Sequence, residues 1–177
     1  MIKERFNLPG PGTNELLQKV KLEEVRPDEL EALYKLQVAS FMPLYEKYHD
    51  EGSPAIEPIE RLKAREQTGC RKYYFIVKDG ARVGGINIGI YLRDPEDAYC
   101  RIAPIFIAPE FQNKGIGYVA LQKAFEIYPG IKKWKLDTIL QEEGNCHLYE
   151  KCGFVRVGEE KIVNENMTLV DYELNRG

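Results

Sequence analysis

The sequence predicts an α/β chain of the α+β kind in a single domain. Three observations predict it. Period-2 and period-3.6 apolar patterns follow one another in the order strand, two helices, three strands, helix, strand, helix, two strands. Asp79-Gly80 separates two apolar runs and marks a hairpin. At residues 107–118, "IAPEFQNKGIGY", an apolar strand stops at a proline and a helical pattern begins around two glycines.

Along the chain, residues 1–17 contain "NLPGPGTN" and lack sustained periodicity, so they read as an arm ahead of one domain over 18–177. "QKVKLEEV" (18–25) alternates as a strand. Pro27 at a first helical position, with Asp28 and Glu29 in the first turn, opens a helix that puts Leu30, Leu33, Tyr34, Val38 and Phe41 on one face. The stretch 42–58 mixes aromatics, acids, glycine and three prolines and reads as a connection, followed by a helix around 58–67. "CRKYYFIVKDGARVGGINIGIYLR" is the hairpin. In "AYCRIAPIFI" (98–107), Pro104 has no N–H for a ladder, which implies a bulge or an unpaired position. "GYVALQKAFEIY" is helical up to Pro129-Gly130, "KKWKLDTIL" (132–140) is a strand and "EGNCHLYEKC" (143–152) a short helix. Two strands, 153–162 and 165–175, close the chain.

Composition narrows the function classes. With 44% hydrophobic and 30% charged residues and a net charge of -3, the chain reads as a soluble globular domain without the basic surplus expected of a nucleic-acid reader. No apolar run approaches the roughly 20 residues that span a bilayer, so no membrane partner is expected. The N-terminus has charges but no apolar central region or small-residue cleavage site, which points to a cytoplasmic protein. Cys70, Cys100, Cys146 and Cys152 form no C-x-x-C pair and read as free thiols. Cys146, His147 and Cys152 are ligand types for zinc, but no second tight pair accompanies them, and no metal is expected.

The junction at 107–118 has a physical use. The first turn of a helix offers N–H groups without intrahelical acceptors, and bare glycines let a ligand approach them. Gly115 and Gly117 suit an anion at that mouth, with Gln112 and Lys114 beside it; taken alone, the two glycines favour a tight strand-to-helix turn. The absence of Gly-Lys-Ser/Thr and of G-x-G-x-x-G excludes a phosphate-binding loop of the triphosphatase type and a dinucleotide fingerprint.

Ile105-Phe106-Ile107-Ala108-Pro109-Glu110-Phe111-Gln112-Asn113-Lys114-Gly115-Ile116-Gly117 resembles the acetyl-CoA loop of the GNAT family of N-acetyltransferases, Q/R-x-x-G-x-G/A after a strand. Downstream, "NCHLYEKCGF" (145–154) resembles the family's helix-strand motif, with Asn145, Tyr149 and Gly153-Phe154 in register. The resemblance covers roughly Val20 to Leu174. It implies a mixed, twisted sheet of about seven strands flanked by about four helices, with acetyl-CoA lodged where strands 98–107 and 132–140 splay apart. It also implies that Ile105, Phe106, Ile107, the loop from Gln112 through Asn113, Lys114, Gly115, Ile116 and Gly117 to Tyr118, and Asn145 and Tyr149 bind the cosubstrate.

In the chemistry so implied, the backbone N–H near Ile107 faces the thioester carbonyl, Asn145 holds the pantetheine arm and the Tyr149 hydroxyl protonates the leaving thiolate. Asn145 and Tyr149, four residues apart, share one helix face. No motif assigns the general base: Glu51, Glu143, Tyr99 and a water chain are candidates, and Arg101 alternates with Tyr99 on the strand leading to Ile107. His147 reads as a surface histidine. The resemblance places the segment 45–55 over the acceptor mouth, where His49, Asp50 and Glu51 could attract a cationic amine, although an exposed polar loop is the preferred reading. The implied partner is a small-molecule or peptide amine, the implied assembly a monomer or homodimer. A CoA-binding sensor without catalysis on the same scaffold is the alternative. Lys114, where glycine or arginine is frequent, and Pro104 depart from the family pattern.

Overall fold

The computed structural model describes residues 12–177, and the first eleven residues of the expected arm lie outside them. The elements are α1 (Thr13–Lys19), β1 (Val20–Glu24), α2 (Leu30–Tyr48), α3 (Ile59–Gln67), β2 (Arg71–Lys78), β3 (Ala81–Tyr91), β4 (Tyr99–Ile107), α4 (Ile116–Ile127), β5 (Lys133–Ile139), α5 (Glu143–Lys151), β6 (Val155–Asn164) and β7 (Met167–Asn175). Seven strands form one sheet in the order β1-β2-β3-β4-β5-β7-β6, in which β4 and β5 are the parallel pair. The mixed sheet implied by the resemblance is present, with five helices among the described residues where about four were expected.

Two element boundaries differ from the sequence reading. Residues 13–17, read as arm, belong to α1, where the Lys19 ammonium meets Glu15 at 2.5 Å one turn away and Leu16 and Leu17 pack on the core. The stretch from 42, read as a connection, continues α2 through Pro43 to Tyr48. Pro43 removes one intrahelical bond, but contacts distant in sequence hold the last turn. Tyr48 is 4% exposed, its carbonyl accepts from Asn164 Nδ2 at 2.9 Å, and His49 caps the end in the left-handed region.

Asp79 and Gly80 have φ of 50° and 80°, the paired left-handed angles that a two-residue hairpin turn demands. Pro104 occupies a bulge. Ile86 pairs with Ile105 and Ile88 with Ile102, so Ala103 and Pro104 on β4 oppose the single residue Asn87 on β3. On one sheet face α4, through Phe125, and α5 pack around Trp134, Phe154 and Tyr172; on the other, Leu33 of α2 and Leu62 of α3 pack with Phe75 and Phe106. Gly84 and Gly85 permit β3 and β4 to run this close: a Cβ would stand 2.1 Å from the Phe106 carbonyl at Gly84 and 2.5 Å from the Phe106 ring at Gly85.

Candidate active site

The parallel pairing of β4 with β5 covers only Tyr99, Cys100 and Arg101 against Lys133, Trp134 and Lys135. Past that point the strands diverge, and unpaired edges of both strands face an opening. Arg101 and Asp137 form an ion pair beside this fork. Two cavities, of about 360 and about 530 Å³, open along it and share Phe41, Leu44, Ile105, Asn145 and Tyr149. The smaller lies toward Asp50 and Glu57, the larger toward Gln112 and Gly117.

The larger cavity is built on the glycine junction. Pro109–Phe111 makes one 3-10 turn, Asn113 and Gly115 take φ of 58° and 77°, and α4 starts at Ile116. Val119 N–H donates to the Gly115 carbonyl, so the N–H groups of Ile116, Gly117 and Tyr118 have no acceptor within the helix. These residues line the cavity together with Gln112 and Asn113. Gln112 Nε2 donates to the Ile107 carbonyl at 2.9 Å and Lys114 Nζ to the Glu110 carbonyl at 2.9 Å, so both side chains hold the loop's own shape. Across the cavity stands α5: a Cβ on Gly117 would meet Leu148 Cδ2 at 3.1 Å. The residues therefore fit an elongated anionic ligand, whose diphosphate would meet free amides in a slot too narrow for side chains.

Ala108 N–H donates to the Val83 carbonyl of β3 at 2.8 Å. Successive amides of an extended strand point to opposite edges, so the Ile107 N–H points into the fork. Ile105 lines both cavities; Phe106 lines the larger one, with its ring edge-on against Phe41 at 5.7 Å.

Tyr149 is 6% exposed and lies where the cavities meet. Burial, with the nearby acidic groups Asp137, Cys152 and Cys146, raises its phenol well above the ordinary value. Its hydroxyl has no hydrogen-bond partner among the described residues. Asn145, one turn earlier, lines both cavities, so α5 brings the pair to one face as its spacing requires.

The other candidates scatter. Glu51 and Glu143 are exposed and line neither cavity, as is true of His49. Tyr99 stacks on Tyr91 at 4.7 Å beneath Lys135, away from both cavities. His147 is exposed at the rim of the larger cavity, and Asp50 lines the smaller. Glu142 escaped sequence reasoning. Its carboxylate accepts from Lys47 Nζ at 2.7 Å and Tyr48 Oη at 2.5 Å; burial opposes its ionisation, but these partners outweigh it and hold the carboxyl below its ordinary value. The bond joins Glu142 of the larger cavity to Tyr48 of the smaller.

Two cysteines near the cleft are inert thiols: burial pushes Cys100 up to about 11 and Cys152 up to about 12, from 9.0. Their folded pKa values exceed the unfolded ones, so this contribution to stability is complete below pH 9 and is lost as pH rises toward 11 and 12. Urea midpoints are accordingly expected to fall between pH 9 and 11, with a shallower fall in Cys100→Ala.

A sheet forked at a parallel pair, with free helix amides on one side and a buried phenol at the crotch, is the arrangement that the sequence resemblance implies for an acetyltransferase. The profile of the Acetyltransferase (GNAT) family matches residues 30–154, and the chain belongs to that family. It is an acetyltransferase. Among solved structures, microcin C7 self-immunity acetyltransferase MccE in complex with acetyl-CoA and AMP aligns with a TM-score of 0.68 at 19% identity, over 91% of this chain and 94% of that one. Spermidine N-acetyltransferase from Vibrio cholerae in complex with CoA and spermine aligns at 0.69 and 18%, over 90% and 96%. RimL, the ribosomal L7/L12 α-N-protein acetyltransferase in complex with CoA, aligns at 0.67 and 15%, over 89% and 95%. These likenesses are of fold. No curated protein matches the chain in sequence. Among the described residues, no helix is long and apolar enough to cross a membrane.

Proposed function

We propose that the chain transfers an acetyl group from acetyl-CoA to a primary amine by direct attack within a ternary complex. The observation that carries this is the meeting of two cavities at one unpartnered phenol, Tyr149. Acetyl-CoA supplies the activated acyl group. The amides of Ile116, Gly117 and Tyr118, with Gln112, Asn113, Lys114 and Gly115 shaping the loop, hold its diphosphate; Ile105, Phe106, Ile107 and Asn145 line the path of the pantetheine arm.

The acceptor enters through the smaller cavity. Its neutral nitrogen attacks the thioester carbon, and the Ile107 N–H donates to the oxygen that becomes negative. As the C–S bond breaks, the sulfur takes the proton of the Tyr149 hydroxyl; the amine loses its proton to solvent, and solvent returns one to the phenol to complete the cycle. A phenol kept above its ordinary pKa stays protonated at neutral pH, as a donor must. The structural neighbours, whose acceptors are a polyamine and a protein N-terminus, make an amine acceptor the natural reading.

The test is free-thiol release from acetyl-CoA with a mixed amine panel, with acetylated amine identified by mass. Turnover is the expected result. CoA binding without turnover for every acceptor would instead return the non-catalytic sensor.

A further inference from the structure

The smaller cavity carries an excess of negative charge. The carboxylates of Asp50, Glu57 and Asp137 line it against one cation, Arg65. Each carboxylate is oriented through one oxygen: Gly52 N–H donates to Asp50 Oδ1 at 2.9 Å, Arg65 pairs with Glu57 Oε1 and Arg101 with Asp137 Oδ1. The second oxygens have no partner among the described residues. Arg65 pairs with Glu57 through one terminal nitrogen, while its buried Nε has no partner among the described residues, so three carboxylates face a single, already paired guanidinium. Thr138, 8% exposed, lines the same space, and its hydroxyl has no partner among the described residues. The remaining wall is apolar, with Phe41, Leu44, Ile105 and Leu136.

From this arrangement we infer that the acceptor is an aliphatic amine carrying a second cationic centre and no anionic one, a di- or polyamine. The inference rests on the acetyl-transfer reading above. The attacking nitrogen loses its charge at the fork, whereas the remote ammonium stays charged. It answers the open carboxylate oxygens in a cavity whose partly dry walls strengthen each contact. The methylenes between the two nitrogens lie along the apolar wall. A carboxylate-bearing acceptor would meet an excess of like charge there, opposite one cation already paired with Glu57.

Three acceptors of one length separate the possibilities: 1,6-diaminohexane, hexylamine and 6-aminohexanoate, each assayed by thiol release and by calorimetric titration into the CoA complex. The diamine is expected to exceed hexylamine at least about tenfold in kcat/KM, the worth of one good charge contact, and 6-aminohexanoate to be poorest. The diamine preference should shrink in Asp50→Asn and Glu57→Gln, with melting temperature as the check that each variant has folded. Acetylation of hexylamine or 6-aminohexanoate within about threefold of the diamine overturns this inference alone, as does a preference that survives in both folded variants. Diamine binding to the CoA complex with no acetylation of any amine overturns the transfer reading instead.

Discussion

Replacing Tyr149 with phenylalanine lowers kcat by about a hundredfold or more, within the 10²- to 10⁴-fold range of a lost general acid, and leaves CoA affinity near the original. The phenol has no internal hydrogen bond to lose. The ring keeps its edge contact with Phe154 at 6.1 Å and its packing against Tyr172, so the variant should melt within a few degrees of the parent. Thiol-release kinetics and CoA calorimetry on the same preparation separate the two effects. A fall in kcat of less than threefold would remove Tyr149 from the proton path. Because the phenol is raised above its ordinary value, its own ionisation imposes no loss of rate below pH 10.

Local chemistry explains which parts of this site were legible in the sequence. Asp79-Gly80 declares a turn by itself, since two consecutive left-handed residues suit few other structures. The bulge at Ala103-Pro104 follows from a missing N–H, whatever the rest of the chain does. Asn145 and Tyr149 need only helical spacing to share a face. The course of α2 past Pro43 was not legible, because the contacts that hold its last turn come from Glu142 and Asn164, about a hundred residues away. That extension carries Tyr48 to the cleft and turns Glu142, not Glu143, inward. The pairing of Arg101 with Asp137 depends on the register of two parallel strands, which no local pattern encodes. Sequence thus marks which segments surround the reaction; the side chains that meet there are decided by tertiary register.

Substituting Gly117 with valine should abolish measurable CoA binding, a loss of at least about a hundredfold, while the chain still folds. Gly117 lies in the first turn of α4 without a left-handed φ, so valine, a better helix former than glycine, meets no backbone strain and no propensity cost. Space is the obstacle. A Cβ already stands 3.1 Å from Leu148 Cδ2, the far end of a flexible side chain that can shift. The two methyls beyond it then fill the slot between α4 and α5 in which the free amides of Ile116, Gly117 and Tyr118 would meet a diphosphate. Gly117→Ala adds only the Cβ and should cost roughly tenfold, because Leu148 can yield to one atom. Leu148→Ala in the Gly117→Val background tells the two contacts apart. If crowding of α5 were the whole effect, the double variant would regain affinity. If valine excludes the diphosphate, as this geometry requires, affinity stays lost. Calorimetry with CoA on the parent and the three variants reads the difference, and undiminished affinity in Gly117→Val would place the diphosphate elsewhere than at the mouth of α4.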